Sequence, residues 1–211
     1  MRSRSPTSCS TRSVSSPPRP WRPEAPDDTG DMDHVTDRTL SVRPLGPRDR
    51  EWVDLTQAAM WGSSTVARKG ELLDTTALPG FVAVRHGEPV GLALFCVRGD
   101  EYEVVSVSAT VRREGVGRAL MLRCFDDARK RGCRRVWLTT TNDNVGAIAF
   151  YQRLGMDLCA FSRNGVATAR RLKPSIPLRD EFGVGIDHEL EFELLLGADP
   201  VDDLPRSSTR G

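Results

Sequence analysis

The sequence predicts an α/β (α+β) domain built on one mixed sheet. Two apolar runs flank a hairpin turn early in the ordered part, Phe81 to Arg85 and Pro89 to Val97 around His86-Gly87-Glu88. Later segments alternate between a period of two and a period near 3.6, as β-α-β units do. Glycines stand where the period changes, at Gly115, Gly132 and Gly155.

The elements follow in order. Thr39 to Arg43 reads as a strand, and Pro47 to Met60 as a helix with proline in its first turn. The hairpin comes next, then a strand from Glu101 to Ala109. Gly115 to Arg131 is a helix, because Val116, Leu120, Cys124 and Ala128 make one apolar stripe and Gly132 can end it. Arg134 to Thr140 is a strand. Ala147, Phe150, Tyr151 and Leu154 share a helical face that Gly155 closes. Asp157 to Ser162 is a strand, Asn164 to Leu172 looks helical, and His188 to Leu196 alternates as a last strand.

Length and composition bound the function. The 211 residues suffice for one cored domain between two tails, with boundaries at 1–37, 38–197 and 198–211. The first segment is rich in Ser, Arg and Pro and lacks apolar periodicity, so it is expected to be disordered, and the last to be a flexible polar tail. Met32, just before the first strand, is an alternative start. A formal net charge of +1 favours neither nucleic acid nor an anionic membrane, and no apolar run has transmembrane length. Cys9, Cys96, Cys124, Cys133 and Cys159 form no C-x-x-C pair, so no metal is expected. They read as reduced, mostly buried packing residues of a cytoplasmic protein.

Two motifs carry chemistry. Arg112-Arg113-Glu114-Gly115-Val116-Gly117-Arg118 lies between a β-branched strand and a helix. Unpaired N–H groups and the positive end of a helix dipole converge there, which suits a phosphate. A dinucleotide fingerprint would need a third glycine where Leu120 stands. A P-loop would need Lys-Ser/Thr after Gly117, where Arg118-Ala119 stands. The remaining pattern is R-x-x-G-x-G. Thirty residues on, after the strand Val136-Trp137-Leu138-Thr139, comes Asn144-Val145-Gly146-Ala147-Ile148-Ala149-Phe150-Tyr151-Gln152-Arg153-Leu154-Gly155-Met156.

Together these blocks resemble the GNAT superfamily, the GCN5-related N-acetyltransferases. The first resembles its pyrophosphate-binding motif. The second resembles N-x-x-A-x-x-F-Y-x-x-x-G-F, with Met156 in the last aromatic place. The resemblance runs from Thr39 to Leu196. It implies a mostly antiparallel sheet with splayed middle strands, helices on both faces, and acetyl-CoA as co-substrate in the wedge. By the same resemblance, the backbone from Arg113 through Glu114, Gly115, Val116 and Gly117 to Arg118 holds the pyrophosphate. Val105, Ser106 and Val107 pair with the pantetheine amides, and an N–H near Val107 faces the thioester oxygen.

Asn144 then contacts CoA, or caps its helix, or both. Tyr151 protonates the departing thiolate, or is a core aromatic. Glu103, on the strand leading to the loop, is the candidate base, or an exposed strand carboxylate. Glu101 shares its face. Relatives that modify ribosomal protein N-termini carry a glutamate five residues before the asparagine, where Thr139 stands here, which argues against that subtype. Arg118 reaches a phosphate or covers a solvated helix face. Arg170, Arg171 and Lys173 read as a solvated basic surface, or as a site for an anionic substrate group. Trp61 and Gly62 to Thr65 stand where an acceptor wall forms.

The implied activity is acetyl transfer to a primary amine of a small molecule or peptide, directly in a ternary complex. The alternatives are a non-catalytic acyl-CoA-binding module and, against the motifs, a Rossmann-type nucleotide binder. The oligomeric state stays open, a homodimer through the last strands being what the resemblance allows.

Overall fold

The computed structural model describes residues 40–111 and 114–197. The expectations for the two tails, Met32, Cys9 and Arg113 lie outside these residues. Among the described residues the chain begins with β1 (Leu40–Pro44), a 3-10 turn at Pro47–Asp49 and α1 (Arg50–Trp61). A short hairpin follows, β2 (Thr65–Arg68) and β3 (Glu71–Asp74). Then come β4 (Gly80–Arg85), β5 (Glu88–Arg98) and β6 (Glu101–Ala109). The second half runs α2 (Val116–Lys130), β7 (Arg135–Thr141), α3 (Val145–Arg153), β8 (Asp157–Ser162), α4 (Gly165–Leu172) and β9 (Glu189–Leu195).

Seven strands make one sheet in the order β1-β4-β5-β6-β7-β9-β8, and β2-β3 stand apart as a pair. Every neighbouring pair in the large sheet is antiparallel except β6 with β7. The helix between those two strands is the right length for a parallel crossover. The predicted mixed, mostly antiparallel sheet is therefore present, and helices cover both of its faces.

The period of two on β5 shows what each face holds. Ala93 and Phe95 join the main core with Val116, Leu120, Cys124, Phe125 and Ala128 of α2. Leu92 and Leu94, one residue out of phase, pack with Val53 of α1. Tyr151 of α3 and Phe192 of β9 extend the α2 face, their rings 5.8 Å apart. Each fully buried Leu or Phe here contributes about 1.5–3 kcal/mol, and most of the buried apolar residues lie on the α2–α3 face.

The β2–β3 hairpin was not foreseen. It closes through Lys69-Gly70, both with positive φ (47° and 76°), the combination a tight two-residue turn requires. α4 packs against this hairpin. Of the cysteines, Cys124 and Cys133 are buried and Cys96 half-buried, but Cys159 is exposed, because β8 is the outer strand of the sheet. Among the described residues no helix is long and apolar enough to cross a membrane.

Candidate active site

β6 and β7 pair only at their beginnings, Glu101 with Arg135, Tyr102 with Val136 and Glu103 with Trp137. Beyond Glu103 the ladder stops although both strands continue. A bulge contributes: Ser106 faces Leu94 and Val104 faces Phe95, leaving Val105 as the extra residue. A bulge bends and twists its strand and re-aims its peptide groups. Two buried hydroxyls, Ser108 Oγ on β6 and Thr139 Oγ1 on β7, have no hydrogen-bond partner. Unpaired strand edges and orphaned hydroxyls on both sides of a gap fit an extended polar arm lying between the strands.

The bulge is held from the α1 side. Ser106 Oγ donates to the buried Gln57 Oε1 at 3.1 Å, and Gln57 Nε2 donates to Thr75 Oγ1 at 3.4 Å. Val107 points the other way, into the α2-face core. Val105 is half-buried.

At the open end of the gap, α2 begins. Gly115 caps it with φ of 73°, left-handed backbone that a side chain would strain, and a Cβ there would meet open space. The glycine is thus required by its backbone conformation. Fifteen residues of helix place their dipole behind that turn. Val116 is buried against the sheet, Gly117 lies in the first turn, and Arg118 is exposed on it. Glu114 is ion-paired with Arg85 of β4, which also donates to the Glu114 carbonyl at 3.4 Å. That pair ties the loop to the sheet and offsets a carboxylate standing near an anion site.

Asn144 caps α3, its Oδ1 accepting the Ala147 N–H at 3.4 Å. Tyr151 lies two turns on and is buried, beside Phe150 and Phe192. Burial pushes its hydroxyl well above the ordinary tyrosine range. Such a group keeps its proton at neutral pH and is therefore present in its acid form.

Glu103 is not the exposed carboxylate of the simpler reading. It is buried on the α1 side, and its two oxygens accept from Arg68 Nε and Nη2, each at 2.6 Å. The Cys96 thiol points at Oε2 from 3.3 Å, and burial beside that carboxylate pushes the thiol up to about 11. Arg68 in turn holds Glu71 at 2.8 Å. A carboxylate with both oxygens taken by a guanidinium fork has none turned toward an amine until the fork opens. Glu101, on the same face, pairs with Arg134 and Arg135.

β9 adds carboxylates the sequence reading assigned to its polar side. Glu189 and Glu191 are buried, facing away from Leu190 and Phe192. Glu189 accepts the Lys69 N–H at 3.2 Å on both oxygens, and burial raises its carboxyl above the ordinary range. Glu191 is ion-paired with Lys69 Nζ and with Arg135 at 3.2 Å. Arg135 also reaches Glu193 at 2.7 Å.

Two of the insertion's three basic residues are neither of the things the sequence suggested, while Arg171 is exposed, as the solvated-surface reading has it. Arg170 donates to the carbonyls of Ile176, Pro177 and Ile186. Lys173 Nζ donates to the carbonyls of Trp61 and Thr65, and burial lowers its pKa. Arg170 fastens the insertion internally, and Lys173 fastens it to the end of α1 and the start of β2. Arg171 bonds Thr168 on its own helix. Trp61 contributes its carbonyl to this fastening. The cavity on that side, about 290 Å³, opens instead between α1 and the end of β6, lined by Trp52, Leu55, Met60, Ala109 and Thr110 among others.

Sequence reasoning missed Arg68, Lys69, Gln57, Trp137, Glu189 and Glu191. A weak signal existed for the first two. Val66-Ala67-Arg68-Lys69-Gly70-Glu71-Leu72-Leu73 is two short runs around a glycine-bearing turn. No grouping of three or more His, Cys, Asp and Glu suited to a metal ion occurs among the described residues.

A mixed sheet parted at its one parallel pair, with a glycine-opened helix at the mouth of the gap, is the architecture of acetyltransferases that draw on a CoA thioester. The chain belongs to the acetyltransferase (GNAT) family, whose sequence profile matches residues 47–156. It is 37% identical over 140 residues to YdhI of Bacillus subtilis (strain 168), an uncharacterized protein, covering 66% of this chain and 88% of that one. It is 33% identical over 86 residues to the ribosomal protein bS18-alanine N-acetyltransferase of Escherichia coli (strain K12), covering 40% of this chain and 58% of that one. A GNAT family acetyltransferase from Elizabethkingia anophelis, solved with acetyl-CoA bound, shares the fold with a TM-score of 0.54 at 14% identity, over 75% of this chain and 99% of that one.

Proposed function

We propose that this acetyltransferase moves the acetyl group of acetyl-CoA to a primary amine of a small molecule or peptide, directly in a ternary complex. The observation that carries the reading is the parting of β6 from β7 after Glu103, with the Gly115 turn of α2 at its open end. Bound acetyl-CoA would supply an activated thioester carbonyl. The N–H groups from Glu114 to Arg118 would hold its pyrophosphate, with the Arg118 guanidinium free to join them. The β6 edge from Val105 to Val107 would pair with the pantetheine amides. Ser108 and Thr139 would give their orphaned hydroxyls to groups in the gap.

The chain's residues then have separate tasks. The gap holds amine and thioester together, which replaces most of the entropy cost of their meeting. A backbone N–H near Val107 would face the carbonyl oxygen as charge develops there. Tyr151, kept protonated by burial, would give its proton to the departing sulfur. Asn144 fixes the start of the helix that carries Tyr151. The incoming amine must lose a proton, and Glu103 would accept it only once Arg68 releases one carboxylate oxygen. That closed pair is the one observation favouring the second reading, an acyl-CoA-binding module without turnover.

Calorimetric titration of acetyl-CoA, with CoA as competitor, tests the cofactor reading. One-to-one binding that CoA displaces is the expected result, and no heat at millimolar ligand would sink it. Thiol release in the presence of an amine panel separates enzyme from binding module. On an amine that is turned over, Tyr151→Phe is expected to lower kcat about 100-fold with KM for acetyl-CoA nearly unchanged. An unchanged kcat would leave Tyr151 a core aromatic.

A further inference from the structure

Trp137 stands on β7 at the last rung before β6 and β7 part. The ammonium of Lys69 lies 4.7 Å from its ring centroid and is ion-paired with Glu191 of β9. Arg135 flanks the same ring at 5.5 Å and joins Glu191 to Glu193. An aromatic face with a carboxylate at its side is a cage for an alkylammonium ion. Here the cage holds one, supplied by the tip of the β2–β3 hairpin.

The lysine is held there in an unusual way. Lys69 has φ of 47°, left-handed backbone that a lysine adopts at some cost. Its side chain is 46% exposed, while Glu191 keeps only 11%. The cation is thus half in solvent and its acceptor is not. Two residues along β7, on the same face and about 7 Å away, is Thr139 with its unpartnered Oγ1. The cage therefore adjoins the gap in which acetyl transfer would occur. The face is short of one cation: Glu101, Glu103, Glu189, Glu191 and Glu193 face Arg68, Lys69, Arg134 and Arg135.

We propose that the Trp137–Glu191 cage is the subsite for a second cationic group of the acceptor, and that Lys69 fills it as a tethered surrogate until substrate displaces it. This rests on the acetyltransferase reading and narrows its acceptor class to amines carrying a further alkylammonium, such as diamines. One ammonium enters the cage, and the other amino group lies along β7 toward Thr139 and the gap. The β2–β3 hairpin, fastened by the Lys69 N–H to Glu189 and by Arg68 to Glu103, keeps its place while the Lys69 side chain swings out.

The test compares cadaverine with 1,5-pentanediol, the same carbon chain without an ammonium group, on the full chain and on Lys69→Asn. Asparagine tolerates the left-handed turn and keeps the backbone N–H, so the hairpin survives the change. Binding is followed by amide and indole NMR shifts, with and without saturating acetyl-CoA. Lys69→Asn is expected to bind cadaverine about 10-fold more tightly than does the parent chain, and about 10-fold more tightly than it binds 1,5-pentanediol. Glu191→Gln in the Lys69→Asn background should erase the preference. Equal affinity for the diamine and the diol in Lys69→Asn, or no gain over the parent chain, overturns the proposal. Acetyl-CoA binding is measured on the same samples. Its absence would end the acetyltransferase reading, whereas the comparison of diamine with diol without acetyl-CoA still judges the cage.

Discussion

The two faces of the central sheet are built on different physics. The face under α2 and α3 is an apolar core, with Phe81, Phe95, Tyr102, Leu120, Tyr151 and Phe192 packed together. The face under α1 and the β2–β3 hairpin carries a small apolar cluster around Val53, Leu92 and Leu94, and then charge. Arg68, Glu103, Glu189 and Glu191 are all at least nine-tenths buried there. Burial of apolar area is additive and insensitive to partners. Burial of charge is favourable only when each group keeps its partner. The first face can hold a molecule together, and the second can discriminate between ligands.

Breaking the charged face should have the largest effect on stability. Glu103→Leu leaves Arg68 buried with only the exposed Glu71, and is expected to cost about 3–5 kcal/mol. Arg68→Met combined with Glu103→Leu removes both charges and should recover most of that loss. Urea denaturation of the parent, the single and the double variant measures it. A double variant as unstable as the single would mean that the pair is not what holds the hairpin to β6. The same proteins test the base assignment. If Glu103 only anchors the hairpin, the double variant keeps acetyl transfer at neutral pH.

Breaking the apolar face should cost somewhat less and show no such rescue. Leu120→Ala empties a site on α2 that is fully shielded, for about 3 kcal/mol. The cost should not change with salt, because the atoms removed carry no charge. Denaturation in low and high salt checks this. A strong salt dependence would blur the contrast between the faces.

The contrast also explains what the sequence made legible. The Val116, Leu120, Cys124, Ala128 stripe announces α2 because apolar burial leaves a period of 3.6 in the chain. The glycine at 115 announces its turn because only backbone freedom serves there. The gap was legible only through the family resemblance, and the order of the strands in the large sheet emerges only from the structure. Charged burial leaves no period of its own. Glu189, Glu191 and Glu193 alternate with Leu190, Phe192 and Leu194, a pattern a solvated face would also give. Their burial depends on a hairpin 120 residues earlier, and partners that distant are not written in local pattern. For the same reason Glu103 could be placed on its strand but its closure by Arg68 could not, and Arg170 and Lys173 were read as surface when they are fasteners.

Glu189 sharpens the comparison most finely, with the smallest expected effect. It accepts only backbone N–H from Lys69, and burial raises its carboxyl above the ordinary range. A carboxyl raised in the folded state binds its proton more firmly folded than unfolded. Its contribution is therefore complete below the unfolded pKa and is lost as pH rises through the folded one. At neutral pH the ionised group subtracts from stability. Glu189→Gln keeps an oxygen for the Lys69 N–H and removes the charge. The variant should melt slightly higher than the parent at pH 8, and the advantage should vanish near pH 4, where the parent carboxyl is protonated in both states. Thermal melts at the two pH values decide it. A variant that melts lower at pH 8 would mean that the hairpin tip needs the full charge at 189, and that this carboxylate belongs with Glu103 among the partnered ones.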